Sequence, residues 1–410
     1  MCRLLSWLPA WGIASSLLGC PWPIEQQAEV GWTIDVEGCA VGDVIVSSPA
    51  ELEEIAGITC FKDWLLIENL ETRYLTPETF DHVVSIHHFS LANLVPSGPP
   101  PVAEQWGCLS LKELTQLDIL STSDTNGLIE LSVPGVSEMS ALALENNPDL
   151  RVARFDTLED VRVLTTRFCH SLEEFHAPKL RRVGDETSPL FSFYFKTSSL
   201  VELSLPALER VDGELVIDGV SDQTHGDGLV IDLPRLHTVT SRIEIRSSLL
   251  ERISLPALKT HRDSLVLGSR NLPDLDDFGL EHAAHVDLSF WVTPDMTTTL
   301  PHLRTADSIS MHSLHNIHRL YMPALEELGS LFLHDCHALR EVDLPAIECL
   351  GSVSTLCSFV NNTYCLLPEE LDDEVARSRE NGCDTLVDIC DPRDNSYHRY
   401  DEAACWAEVP

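Results

Sequence analysis

Apolar and polar positions along this chain follow a pattern that returns many times. Residues 203–217 read LSLPALERVDGELVI, and near-copies stand at 253–267 (ISLPALKTHRDSLVL), 320–333 (LYMPALEELGSLFL) and 342–353 (VDLPAIECLGSV). Successive side chains of a strand point to opposite faces, so Leu203 and Leu205 share an inward face while Glu202 and Ser204 point out. Pro206 ends that strand, Leu208 and Val211 dip back into the core across a corner, and Gly213 permits a tight turn. Leu215 and Ile217 then supply a second inward pair.

The proline acts as a ruler. It stands at Pro134, Pro178, Pro206, Pro234, Pro256, Pro301, Pro323 and Pro345, in steps of 44, 28, 28, 22, 45, 22 and 22. The unit is therefore 22 residues. The step of 44 hides a degenerate copy with Asp156 in the proline's place, the 45 hides another near Phe278, and each 28 carries a six-residue insertion. The insertions fall near residues 185–190 and 219–228. A fixed period of this size marks a solenoid, since one coil cannot bury its apolar face alone. Stacking puts like on like, which places Leu203 near Leu255 two coils on, and the near-constant period favours parallel stacking over antiparallel hairpins.

The string L-x-L-P-A-L-x-x-[VL]-x-[GS]-x-L-x-[IL], with a polar turn and a leucine leading to the next copy (ENNPDLRV, HDCHALREV), resembles the leucine-rich-repeat-like L domain of growth-factor and insulin-type receptors. It is most similar to bacterial surface-lipoprotein relatives of that domain. The likeness is clear over residues 128–350, extends back to Cys39 and ends by Cys365. It implies a mainly β fold, a right-handed parallel β-helix of about 22-residue coils with a small disulfide-rich C-terminal cap, and the role of a binding module. It carries no ligand-contact motif. The pattern begins at Cys39 with a first loose copy, the copies from Trp64 to Leu117 are poor, as end repeats facing solvent often are, and PSGPPP at 96–101 reads as a loop outside any sheet.

The first 19 residues hold one arginine and an apolar run over 4–18, too short to span a bilayer, and read as a secretory signal. The run ends in Leu-Leu-Gly-Cys, which resembles the bacterial lipobox and marks Cys20 as the lipidated residue. Residues 20–38 then read as a tether, 39–365 as the repeat solenoid, and 366–410 as an acidic, cysteine-rich cap whose first half forms a short amphipathic helix. Lipid attachment at Cys20 implies the envelope of a bacterium, at the outer membrane or cell surface.

Lys and Arg number 27 against 65 Asp and Glu, a formal net charge of -38, with no basic run for phosphates to meet, so nucleic acid is excluded as a partner. Thirteen cysteines suit an exported, oxidising setting. Setting aside Cys2 and Cys20 leaves an odd number, so one thiol stays free or pairs between chains. Cys39 and Cys60 flank the first coil. Cys336 and Cys357 occupy matching turn positions, as a coil-to-coil disulfide or as two buried thiols in the slot that Asn147 fills elsewhere. Cys365, Cys383, Cys390 and Cys405 are expected to pair within the tail.

The outward residues before each ruler position run Ser132, Arg154, His176, Ser204, Asp232, Ser254, Asp276, Thr299, Tyr321 and Asp343. Acid-base catalysis wants paired carboxyls of separated pKa and a nucleophile wants an adjacent base; this mixed row offers neither, so no catalytic residues are assigned and no cofactor is implied. Histidine is the sharpest local feature. His312 and His315 recur one period later as His334 and His337, a density of imidazole able to hold zinc or copper, although Ser198, Ser248 and His170 fill the same turn slot as His337 in other copies. The expected function is a lipid-anchored, non-enzymatic scaffold for a protein or glycan. A polysaccharide-active β-helix enzyme and a metal-binding lipoprotein working through the stacked histidines are the alternatives.

Overall fold

A computed structural model of the protein describes residues 32–97, 107–185, 192–197, 199–219, 228–248, 250–269, 275, 277–290, 296–312, 317–334, 339, 341–356, 369–383 and 385–390. Over these residues the chain is mainly β and winds into a solenoid of about 12 turns with a spacing near 22 residues. Cys2, Cys20, His315, His337, Cys336, Cys357, Cys365, Cys405, Asp276 and most of both insertions lie outside the described residues.

Each coil contributes to a long-strand sheet that runs from Val44–Val46 and Cys60–Glu68 through Ser85–Ala92, Gln116–Ser123, Glu138–Glu145 and Asp160–Arg167 to Cys349–Leu356. Opposite it lie short strands in three groups. Cys108–Ser110, Glu130–Ser132, Val152–Arg154 and Glu174–His176 form the first; Glu202–Ser204, Leu229–Asp232 and Leu250–Ser254 the second; Met296–Thr299, Ile317–Tyr321 and Glu341–Asp343 the third. Coil-to-coil pairing is parallel throughout the described residues, and the antiparallel pair there joins Thr33–Ile34 to Ala40–Val41 at the start.

The alternation explains the core. Leu203, Leu205, Leu208, Val211 and Leu215 are fully buried, Ile217 nearly so, and Gly213 takes φ 135°, which glycine alone adopts freely. Burying one such leucine is worth about 1.5–3 kcal/mol. Leu203 lies opposite Ile231, which lies opposite Ile253, so the expected Leu203–Leu255 alignment was displaced by two residues. A two-residue slip leaves the inward face unchanged, and burial alone does not distinguish the two registers. Both hidden copies are present: Val152–Arg154 pairs with both neighbouring coils, and Leu255 bridges Phe278.

The coils before Leu117 are regular in space despite their poor spacing. Cys60 lies opposite Ser85 and Ser85 opposite Gln116, steps longer than 22, because extra residues enter at the corners. The inward column Leu65, Phe89, Leu120, Leu142 continues through them unbroken. The Cys39–Cys60 disulfide closes this first coil, and helix α1 (Pro49–Glu54), started by a Ser48/Glu51 capping box, crosses its corner.

At the other end helix α2 (Glu369–Glu380) covers the last coil, as the amphipathic pattern suggested. Ser378 and Thr385 satisfy the backbone of Leu350: the Leu350 amide donates to Ser378 Oγ at 2.8 Å, and Thr385 Oγ1 donates to the Leu350 carbonyl at 2.7 Å. Cys383 is bonded to Cys349 of the solenoid, which corrects its expected pairing within the tail. The helix folds back over the last coil and carries Cys383 to the body. Leu386–Cys390 then pairs in parallel with Cys349–Leu356 and extends the long sheet into the tail.

Candidate functional site

Along several of the long strands the inward residues step by three, not two, at one point. Ile86 and Phe89 are both buried with His87 and His88 between them; Leu117 and Leu120 enclose Asp118 and Ile119; Val161 and Leu164 enclose Arg162 and Val163. Two successive side chains therefore leave the same outer side, and the sheet bends there. Stacked bends make a groove of about 1110 Å³ along the outside of six successive coils, from Lys62 through His87, Asp118, Ser140 and Arg162 to Gly184. At Gly184, where φ is 105°, an added Cβ would lie 2.1 Å from the Asp212 carbonyl oxygen, so this position accepts only glycine.

The lining is polar and of mixed sign. Lys62 closes one end by holding Asp35 and Glu37, each at 2.7 Å, and this ammonium keeps the Asp35 carboxyl below its usual pKa. Arg182 reaches Asp160 at 3.0 Å across one coil step. Glu138 and Arg162 project into the groove from neighbouring coils, with Arg162 at 3.9 Å from Asp185.

His87 and Asp118 line this groove's second and third coils, and His88 lies beside them, largely covered. The imidazoles stack with centroids 4.3 Å apart and planes at 22°. Asp118 Oδ2 lies 3.6 Å from His87 Nε2 and 3.8 Å from His88 Nε2. The His87 side chain is 54% exposed and His88 only 13%, with the Trp64 ring edge-on to it at 4.7 Å. Burial, and then the neighbouring His87, push the His88 pKa below 6.5. Sequence spacing did not reveal this cluster, because the coil between His87 and Asp118 is 31 residues long and adjacent residues of a strand ordinarily diverge. The readable signal was the in-out-out-in step.

The structure brings His312 and His334 together as the period required, with their Nδ1 atoms 3.3 Å apart and ring centroids at 5.3 Å. His312 Nε2 is also 2.6 Å from the Ser310 hydroxyl. The outward row on the short strands is in register as expected: Ser132, Arg154 and His176 lie side by side, as do Thr299, Tyr321 and Asp343. Residues outside the row hold two of its members, Arg319 at 2.6 Å from Asp343 and Asp156 at 3.5 Å from His176.

The two free thiols among the described residues, Cys108 and Cys169, are poor nucleophiles. Burial raises the pKa of both, that of Cys169 to about 11, so neither carries appreciable thiolate near neutrality. No helix among the described residues is long and apolar enough to cross a membrane. Comparison of the chain with family models, with curated proteins and with solved structures found no match.

Proposed function

We propose that this protein is a non-catalytic binding scaffold, held at a bacterial cell envelope by a lipid on Cys20, whose recognition surface is the six-coil groove and whose ligand is an extended glycan. The single observation behind this reading is the groove's character: a long channel with donors and acceptors of both signs repeated at the strand spacing of about 4.8 Å. A polyhydroxylated chain laid along the axis meets carboxylate acceptors from Asp118, Glu138 and Asp160 and guanidinium donors from Arg162 and Arg182. Protein interfaces are anchored instead by buried aromatic and apolar residues. Phe168, Val201 and Phe332, three of the exposed large apolar residues, are not part of the lining. The resemblance of residues 128–350 to receptor L domains supports the same assignment to a binding module.

The experiment is a glycan array with the full chain, followed by titration of the retained glycan into Glu138→Ala and Arg162→Ala. Each lost charge-assisted hydrogen bond weakens binding by about tenfold or more. Unchanged affinity in both variants overturns the groove as the surface, and cleavage of the bound glycan overturns the non-catalytic reading. The anchor is tested separately, by labelled fatty-acid incorporation that Cys20→Ser abolishes.

A further inference from the structure

Two lining residues of the groove, His87 and Asp118, stand with the neighbouring His88 as a set of metal-ligating side chains. We infer that His87, His88 and Asp118 form a binding site for a divalent transition metal of the zinc type. This inference rests on the local geometry and stands whether or not the groove takes a glycan.

The donor atoms of the three residues lie within 4.8 Å of one another. Around zinc, with bonds to nitrogen and carboxylate oxygen near 2.0–2.2 Å, tetrahedral ligands stand about 3.4 Å apart. The two nitrogen-to-oxygen distances, 3.6 and 3.8 Å, need to contract only slightly. The donor set of two imidazoles and one carboxylate suits zinc and its first-row neighbours and does not suit calcium or magnesium, which take oxygen.

His88 supplies an independent observation. Its ring is largely covered, its Nδ1 is buried without a hydrogen-bond partner, and its other nitrogen approaches Asp118 only to 3.8 Å. Nε2, the nitrogen that faces Asp118, is the one offered to a cation, and at 3.8 Å it makes no hydrogen bond to that carboxylate. The His87 and His88 rings stack with planes at 22°, so the more exposed His87 ring turns to bring its in-plane lone pair onto a cation shared with His88. Because His87 and Asp118 remain partly exposed toward the groove, a cation held here keeps open coordination positions for water or for a donor atom of whatever lies in the channel.

The other candidates carry less. Asp35, Glu37 and Cys39 also cluster, but Cys39 is in a disulfide and both carboxylates hold Lys62. His312 and His334 contribute two imidazoles, one of them already engaged by Ser310.

The test is calorimetric titration of zinc chloride into metal-stripped full-length protein, with cobalt(II) absorption as a second reading of the ligand field. His87→Ala, whose ring is exposed and whose loss the fold tolerates, His88→Ala and Asp118→Asn are compared with a His312→Ala/His334→Ala double variant. One tight zinc equivalent is expected in the parent and in the double variant, weakened at least about tenfold by each substitution in the triad. Unfolding followed without metal separates a misfolded His88→Ala from a lost ligand, and His87→Ala and Asp118→Asn decide the matter if His88→Ala does not fold. Absence of zinc binding, binding undiminished in His87→Ala and Asp118→Asn, or binding lost only in the His312/His334 variant overturns the assignment.

Discussion

Cys349, the first residue of a solenoid strand, is bonded to Cys383, three residues beyond the end of α2, and this link closes a loop of 34 residues over the end of the core. The same helix brings Ser378 to the Leu350 backbone and buries Val375. A closed loop of this length stabilises by about 3–4 kcal/mol through the unfolded state. The Cys349→Ser/Cys383→Ser double variant should lose about that much, and the loss should be local because stacked coils couple mainly to their neighbours. Hydrogen exchange would show it as faster exchange at Leu350 and along α2, with the coils around Leu142 unchanged. Uniform loss of protection would contradict the local cap.

Asn147 is fully buried between two coils. Its Oδ1 accepts from the Thr125 amide and hydroxyl, and its Nδ2 donates to Thr122 Oγ1 at 2.7 Å. In the next coil Cys169 fills the same slot and receives the amide's second proton weakly, at 3.8 Å. Asn147→Leu keeps the volume but strands the Thr125 and Thr122 groups, at a cost of about 2–3 kcal/mol in chemical denaturation. Asn147→Asp, which keeps the acceptor and loses the donor, should be destabilised at neutral pH and partly recover on acidification.

One corner of the coil requires the left-handed conformation. Asn69, Asn93, Asp124 and Asn146 adopt it with φ of 54°, 50°, 54° and 50°, and in the following coil Phe168 does so with φ 55°. Asn and Asp tolerate that region and a bulky aromatic does not. Phe168 is also 47% exposed, so little packing is lost by replacing it. Phe168→Asn should raise stability by about 1 kcal/mol, read as a shift in denaturation midpoint with an unchanged slope. An unchanged midpoint would mean that the corner relaxes around the ring.

His261 and His88 both have pKa values held below 6.5, in each case chiefly because burial disfavours the charged ring. The folded state then binds fewer protons than the unfolded chain below that value. The stability they contribute is complete above about pH 6.5 and is lost as pH falls through the unfolded value toward the depressed folded one. The metal-free protein should therefore weaken on acidification from about pH 7 to 5, with a shallower slope in His261→Gln than in the parent. An identical slope in the variant would remove His261 as a cause.

The 22-residue period, the inward alternation and the hidden copies at Asp156 and Phe278 were legible in the sequence, as was the stacking of His312 on His334. Each follows from a local rule repeated many times, since every coil must present the same apolar columns to its neighbours. The expected Leu203–Leu255 alignment missed by two residues what the proline spacing carries, since Pro206, Pro234 and Pro256 put Leu203 in line with Ile231 and Ile253, as the strands pair. Cys383 found Cys349 only once α2 folded back over the last coil. His87, His88 and Asp118 met only because a bend turns two adjacent side chains outward and a 31-residue coil returns the chain to the same height. The repeat determines what is buried; where a coil departs from it, tertiary packing decides which side chains meet.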